Sequence, residues 1–252
     1  MKNLRYIRFV IILAGMLPFA LLQVTGATRT ASSTGNWSST TTWGGSAVPT
    51  SDDDVRINSG ITVTVDVADA QCQSLDFLAN SVQNVVTISG TNSLTVSGLV
   101  NMQRPSTTNR SNRLQVNAGA LVCGSLTMNA TTGNRRNHLD ITTGTVAITG
   151  SFTAGSDACR VNFTDAGSLS IGGATSGTPR FTTYGGCTVN YTGDVNQDVF
   201  EATYYNLGFS GAGTKKLYDG TLYLHSRSLL SAPARKCMAG GHRAAGFRLS
   251  VS

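Results

Sequence analysis

Short triplets of the form apolar–polar–apolar recur through the middle of the chain. Val86-Thr87-Ile88 is followed by Leu94-Thr95-Val96, and Leu114-Gln115-Val116 by Leu121-Val122-Cys123. Leu139-Asp140-Ile141 is followed by Val146-Ala147-Ile148, and Val161-Asn162-Phe163 by Leu169-Ser170-Ile171. Period-two alternation puts every second side chain on one face of a strand. The turn inside each pair carries Gly90, Gly119, Gly144 or Gly167. A third triplet follows in three of the four copies: Val100-Asn101-Met102, Leu126-Thr127-Met128 and Phe152-Thr153-Ala154. A degenerate fifth copy is expected to start at Val189-Asn190-Tyr191.

The copies are 22 to 28 residues apart. One copy cannot bury its own apolar face, whereas stacking coil on coil buries it continuously. The pattern therefore predicts an all-β chain folded as a right-handed parallel β-helix (β-solenoid). A β-sandwich also reads as many short alternating strands, but it gives no reason for matching side chains at a fixed repeat. The register places Cys123 in one column with Val96, Ile148 and Ile171, as a small buried hydrophobe. Cys159 and Cys187 fall at turns or strand edges, where either could form a disulfide.

The two ends differ from the body. Lys2, Arg5 and Arg8 precede an apolar run from Phe9 to Leu22, and Val24-Thr25-Gly26-Ala27 follows. A basic start, a short apolar core and small residues make a secretory signal peptide over 1–27. The run is too short to span a bilayer, so no transmembrane segment is expected in the mature chain, which is placed outside the cell or on its surface. From His225 the alternation stops, and residues 225–252 form an atypical Ala/Arg-rich tail, expected to be disordered or the product of a frameshift in a longer gene. Charge follows the same division. The chain carries 19 Lys and Arg against 13 Asp and Glu, a formal charge of +6. Three of those cations lie before residue 28 and five after residue 225, with no acid in either stretch, so 28–225 holds 11 cations against 13 acids. Nucleic-acid binding needs a concentrated cationic face and is not expected. Charged residues are only 13% of the chain, about half the usual share.

A string near the start of the body is distinctive: Asn36-Trp37-Ser38, Thr42-Trp43-Gly44-Gly45, Val48-Pro49, Asp52-Asp53-Asp54-Val55 and Gly60 to Asp66. It resembles the opening of secreted Bacteroidetes-type surface proteins with parallel β-helix repeats and, more loosely, the G8 domain. Tyr204-Tyr205-Asn206-Leu207 with Ser210-Gly211-Ala212-Gly213-Thr214-Lys215 is similar to a second segment of the same proteins. The resemblance implies that 28–66 is an N-terminal cap with the first strands, the two Trp closing the apolar stack, and that 67–224 holds the β-helix repeats. It also implies a piece of a larger adhesin-like protein.

Chemistry is sparse. Paired catalytic carboxylates must lie close together, yet Asp140 shares its column with Gln115 and Asn162, and no two acids share a column. A polysaccharide lyase or glycosidase is the alternative function, without a recognisable catalytic set. Asp194-Val195-Asn196-Gln197-Asp198 begins like a calcium loop but has Val199 and Tyr205 where Gly and Glu belong. Asp52-Asp53-Asp54 could take calcium or simply fix a turn. No cofactor is expected.

The one recurring charged feature is a loop. Thr107 to Arg113 precedes Leu114, and Thr131 to His138 precedes Leu139. Arg113, His138 and Arg160 each immediately precede a first-triplet residue, so they should stack. With Arg110, Arg135 and Arg136 they would form a basic ridge. Arg forks suit carboxylate or sulfate groups, which points to an acidic polysaccharide or extracellular matrix as partner.

Overall fold

The computed structural model describes residues 26–130 and 134–217, together with the backbone of two short strands, Leu222–Leu224 and Cys237–Ala239. All but the last two residues of the expected signal peptide and almost all of the expected tail lie outside the described residues. Among the described residues there are strands and no helix. Every strand pair is parallel, and the strands stack as a β-solenoid of about six turns. Parallel neighbours two or three strands apart in sequence need coil-like connections. The β-sandwich is thereby excluded.

Two sheets run the length of the coil. One has seven strands, and its apolar column reads Val63, Val86, Leu114, Leu139, Val161, Phe181. The second has twelve strands and bends in the middle of each coil. Its strands Ser93–Met102 and Ala120–Met128 carry both later triplets, with a break in register between Cys123 and Ser125. Beyond that break, Val55, Leu75, Val100, Leu126 and Phe152 share one column, and before it run Ala70, Leu94, Leu121, Val146, Leu169, Val189 and Leu207. Apart from Phe181, which is partly buried against the others, these inward residues are buried and form a single core. Burying one such side chain is worth about 1.5–3 kcal/mol.

Cys123 stacks between Val96 and Ile148, as its register requires. Two expectations are corrected. Val189-Asn190-Tyr191 does not restart the first-triplet column: it pairs with Leu169-Ser170-Ile171 and belongs to the second. The first column continues instead at Arg180–Thr182, a rung with a single apolar residue that the alternation could not reveal. Cys159 and Cys187 are both buried free thiols, as are Cys72 and Cys123.

The start of the described stack is aromatic. Trp37 and Trp43 pack edge to face with centroids 5.1 Å apart, and the Trp43 indole N–H donates to the Trp37 carbonyl at 2.8 Å. Further along the coil Phe152, Phe181, Phe200 and Tyr204 interlock, and the Tyr204 hydroxyl donates to the Phe200 carbonyl.

Gly119, Gly144 and Gly167 stack at the corner where each coil turns. A methyl at Gly144 would lie 2.6 Å from the Gly119 carbonyl oxygen, and one at Gly167 2.9 Å from that of Gly144. Successive coils can approach there only without a Cβ. Gly144→Ala should therefore destabilise the protein by about 2–3 kcal/mol in urea titration. Gly185→Ala, whose methyl would meet only the Tyr205 ring at 3.7 Å, should change stability by less than about 0.5 kcal/mol.

Candidate basic ligand site

The site sits on the outer surface of the seven-stranded sheet. Arg110–Val116, Arg135–Ile141 and Cys159–Phe163 are three consecutive rungs. Leu114, Leu139 and Val161 point inward, so the residue before each points out. Arg113, His138 and Arg160 are consequently direct neighbours across the rungs, and Arg180 extends their column. Arg110 pairs with Arg135, and Ser111 with Arg136. The loops that enter these strands close a depression of about 350 Å³, lined by Gln83, Asn109, Arg110, Ser111, Arg113, Asn134, Arg136, His138 and Arg160. Five of the six residues singled out from sequence thus meet in one concavity. Arg135 holds a rung beside Arg110 but does not line it.

An asparagine ladder supports this surface from inside. Asn84, Asn112 and Asn137 are buried in register, and Asn80 lies beside them. The Asn112 amide donates to the Gln103 carbonyl at 2.7 Å, and the Asn137 amide to the Met102 carbonyl at 2.7 Å. Asn80 donates to Asn112 Oδ1 at 2.8 Å and to the Ser111 carbonyl at 3.1 Å. The buried amides thus find acceptors in backbone carbonyls at the strand ends, as buried polar groups require. Cys159 occupies the next rung after Asn137, and its thiol donates to the carbonyls of Met128 and Ala130 at 3.1 and 3.2 Å. Sequence reasoning allows asparagine ladders in these loops as part of solvated turns, and did not detect that this one is buried. Its signal was Asn112 and Asn137, each two residues before a first-triplet Leu.

The charges are unevenly paired. Arg113 Nη1 donates to Asp140 Oδ2 at 2.6 Å. Among the described residues, Arg110, Arg136 and Arg160 have no carboxylate within ion-pair reach. Arg136 donates through Nη2 to Asn134 Oδ1 at 2.9 Å, while its Nε and that of Arg160 are buried without a hydrogen-bond partner. The Arg160 guanidinium is held below its ordinary pKa by burial first, then by Arg136 and Arg180, against an opposing pull from Asp157. Four guanidinium groups line the depression, and among the described residues only that of Arg113 is ion-paired, to Asp140, so the depression carries a surplus of positive charge.

His138 is only 6% exposed. Burial, then Arg113, Arg160 and Arg136, push its pKa down to about 4, and the Asp140 carboxylate offsets only part of this. The ring is therefore neutral at pH 7. The Asn162 amide nitrogen lies 3.0 Å from Nδ1 and 2.7 Å from Asp140 Oδ1. An amide nitrogen only donates, so Nδ1 accepts and the imidazole proton sits on Nε2. His138 is a neutral donor in this state, with its basic nitrogen already occupied.

The acidic clusters have internal tasks. Asp53 accepts from the backbone N–H groups of Ala27 and Thr50 at 2.7 and 2.9 Å, from the Thr50 hydroxyl, and from Arg29 Nε. Burial alone would raise its pKa, but these bonds hold it below the ordinary value. Asp194 and Asn196 accept from the N–H groups of Ala212 and Thr214 and tie one loop to the next. Among the described residues no three His, Cys, Asp or Glu side chains converge in a way that could hold a metal ion.

No family model, curated protein or solved structure matches this chain. Its chemistry is read from its own geometry. Histidine in an unfolded chain titrates near 6.5, whereas His138 titrates near 4 in the folded one. Between those values the unfolded chain binds a proton that the folded chain refuses, so stability is full above pH 6.5 and falls as the pH drops toward 4. His138→Asn should flatten that part of the stability–pH curve by on the order of 2–3 kcal/mol in urea titrations at pH 7 and pH 4.5. An unchanged slope would contradict the neutral, desolvated ring.

Proposed function

We propose that this chain is an exported, surface-exposed β-helix module whose basic depression binds an acidic polysaccharide. The observation that carries the reading is the surplus of guanidinium groups over carboxylates in one concavity of a sheet whose other outward positions are mostly neutral. Guanidinium forks match carboxylate and sulfate oxygens in pairs. The Asn109, Asn134 and Ser111 side chains that share the depression suit sugar hydroxyls. Export is supported by the pattern of residues 1–27, and an adhesin-like role by the resemblance of the segments around Trp37, Trp43 and Tyr204. The occupied Nδ1 of His138 favours binding over base chemistry at this site, because a general base needs a free acceptor within reach of the proton it removes.

The test is retention of the protein on immobilised polygalacturonate, dextran sulfate and neutral dextran. The wild-type chain should be retained by one or both anionic matrices and released by added salt, with none held by dextran. The Arg110→Ser, Arg136→Ser, Arg160→Ser triple variant should lose at least tenfold in affinity. Arg56→Ser, on the twelve-stranded sheet, should bind as wild type. Equal retention of the triple variant, or retention on neutral dextran, would overturn the proposal.

A further inference from the structure

The run Asp52-Asp53-Asp54 meets the first residues of the described chain. Asp53 is buried, at 3% exposure. Its Oδ2 accepts from the Thr50 N–H and hydroxyl at 2.9 and 3.0 Å and from Arg29 Nε at 3.2 Å. Its Oδ1 accepts from the Ala27 N–H at 2.7 Å. The Ala27 carbonyl accepts in turn from the Asp54 N–H at 2.9 Å, at the head of the ladder that joins Thr28–Ala31 to Asp54–Ile57. Both backbone groups of Ala27 therefore belong to the fold. Gly26 marks the limit. A methyl there would lie 1.4 Å from the Asp52 carbonyl oxygen, so the chain passes Asp52 only where it carries no side chain. Among the described residues, Arg29 is the only cation within ion-pair reach of the three carboxylates.

We infer that export cleaves the Gly26–Ala27 bond, one residue before the boundary expected from sequence, and that Asp53 receives the new α-ammonium of Ala27. The inference rests on the export reading above and specifies its product. Water adds across the peptide bond at a membrane-bound signal peptidase. The Gly26 carbonyl leaves with the leader as a carboxylate, and the Ala27 nitrogen remains as an ammonium. Gly26 is as small as Ala27 and meets the same small-residue requirement at the cut. The N–H that Asp53 Oδ1 accepts becomes one of three donors on a cation, and the bond becomes charge-assisted. Burial raises the Asp53 pKa, but its hydrogen bonds to Thr50, Ala27 and Arg29 outweigh this, so it meets the ammonium as a carboxylate. The ammonium also adds a second cation to a run of three acids. A cut after Ala27 would instead take away the donor on Asp53 Oδ1 and the carbonyl that binds the Asp54 N–H.

The experiment expresses the full 252-residue chain in a secreting bacterium and reads the exported protein by intact mass and N-terminal sequencing. Ala27 should be the first residue. In that protein the α-amine should react with acetic anhydride at pH 7 several-fold more slowly than in the same chain unfolded in urea. The reason is that a carboxylate at hydrogen-bond distance favours the protonated form, which is not a nucleophile. An exported chain that begins at Thr28, or at any residue other than Ala27, overturns the inference while export stands. Equal reactivity of the folded and unfolded chains overturns the role of Asp53 as receptor. A chain that keeps its leader overturns the export reading as well.

Discussion

Stacking of coils at one β-rung per turn is the constraint on which everything else depends. Parallel pairing spends the backbone N–H and C=O groups on the coils above and below, so each side chain lies directly over its counterpart. Like residues therefore accumulate into columns. Leu114, Leu139 and Val161 become a core. Gly119, Gly144 and Gly167 become a corner close enough to exclude a methyl group. Arg113, His138 and Arg160 become a basic column. None of these sets is local in sequence.

The same rule makes the asparagine ladder and the basic depression two sides of one structure. Asn112 and Asn137 point inward and bind the carbonyls of Gln103 and Met102, while Arg113 and His138, one residue later, point outward. The loops that make the depression concave are held by the ladder beneath them. Preorganisation of this kind lowers the cost of ordering a binding surface. It also explains how adjacent guanidinium groups are tolerated: Asp140 is shared between the Arg113 fork and the Asn162 amide, and His138 sheds its charge instead of adding to the repulsion.

Much of this was legible in the chain, for a physical reason. Period-two triplets at a spacing of 22 to 28 residues encode both the strands and their register, so the columns of Cys123, Asp140 and His138 followed by counting. What escaped was whatever departs from that pattern. Val55-Arg56-Ile57, Leu75-Asp76-Phe77 and Val63-Thr64-Val65 are full rungs of the stack, but their irregular loops broke the count at the start of the chain. Phe181 is the only apolar residue of its rung, so Val189 was assigned to the wrong column. The distinction between Arg135 and Arg136 is invisible to spacing, because the strand begins at the loop corner and alternation there is not yet established. Charge state was equally hidden, since the neutrality of His138 depends on burial beside three arginines that lie on different coils.

The central claim is that coil stacking assembles guanidinium groups from successive turns into one anion site. Arginine side-chain NMR with 15N detection tests it directly, by following the Nε–H signals while polygalacturonate is titrated in. The account predicts that the signals of Arg110, Arg136 and Arg160 move together, with a common midpoint, while those of Arg29 and Arg56 stay in place. Shifts spread evenly over all arginines, or confined to residues outside these coils, would contradict it.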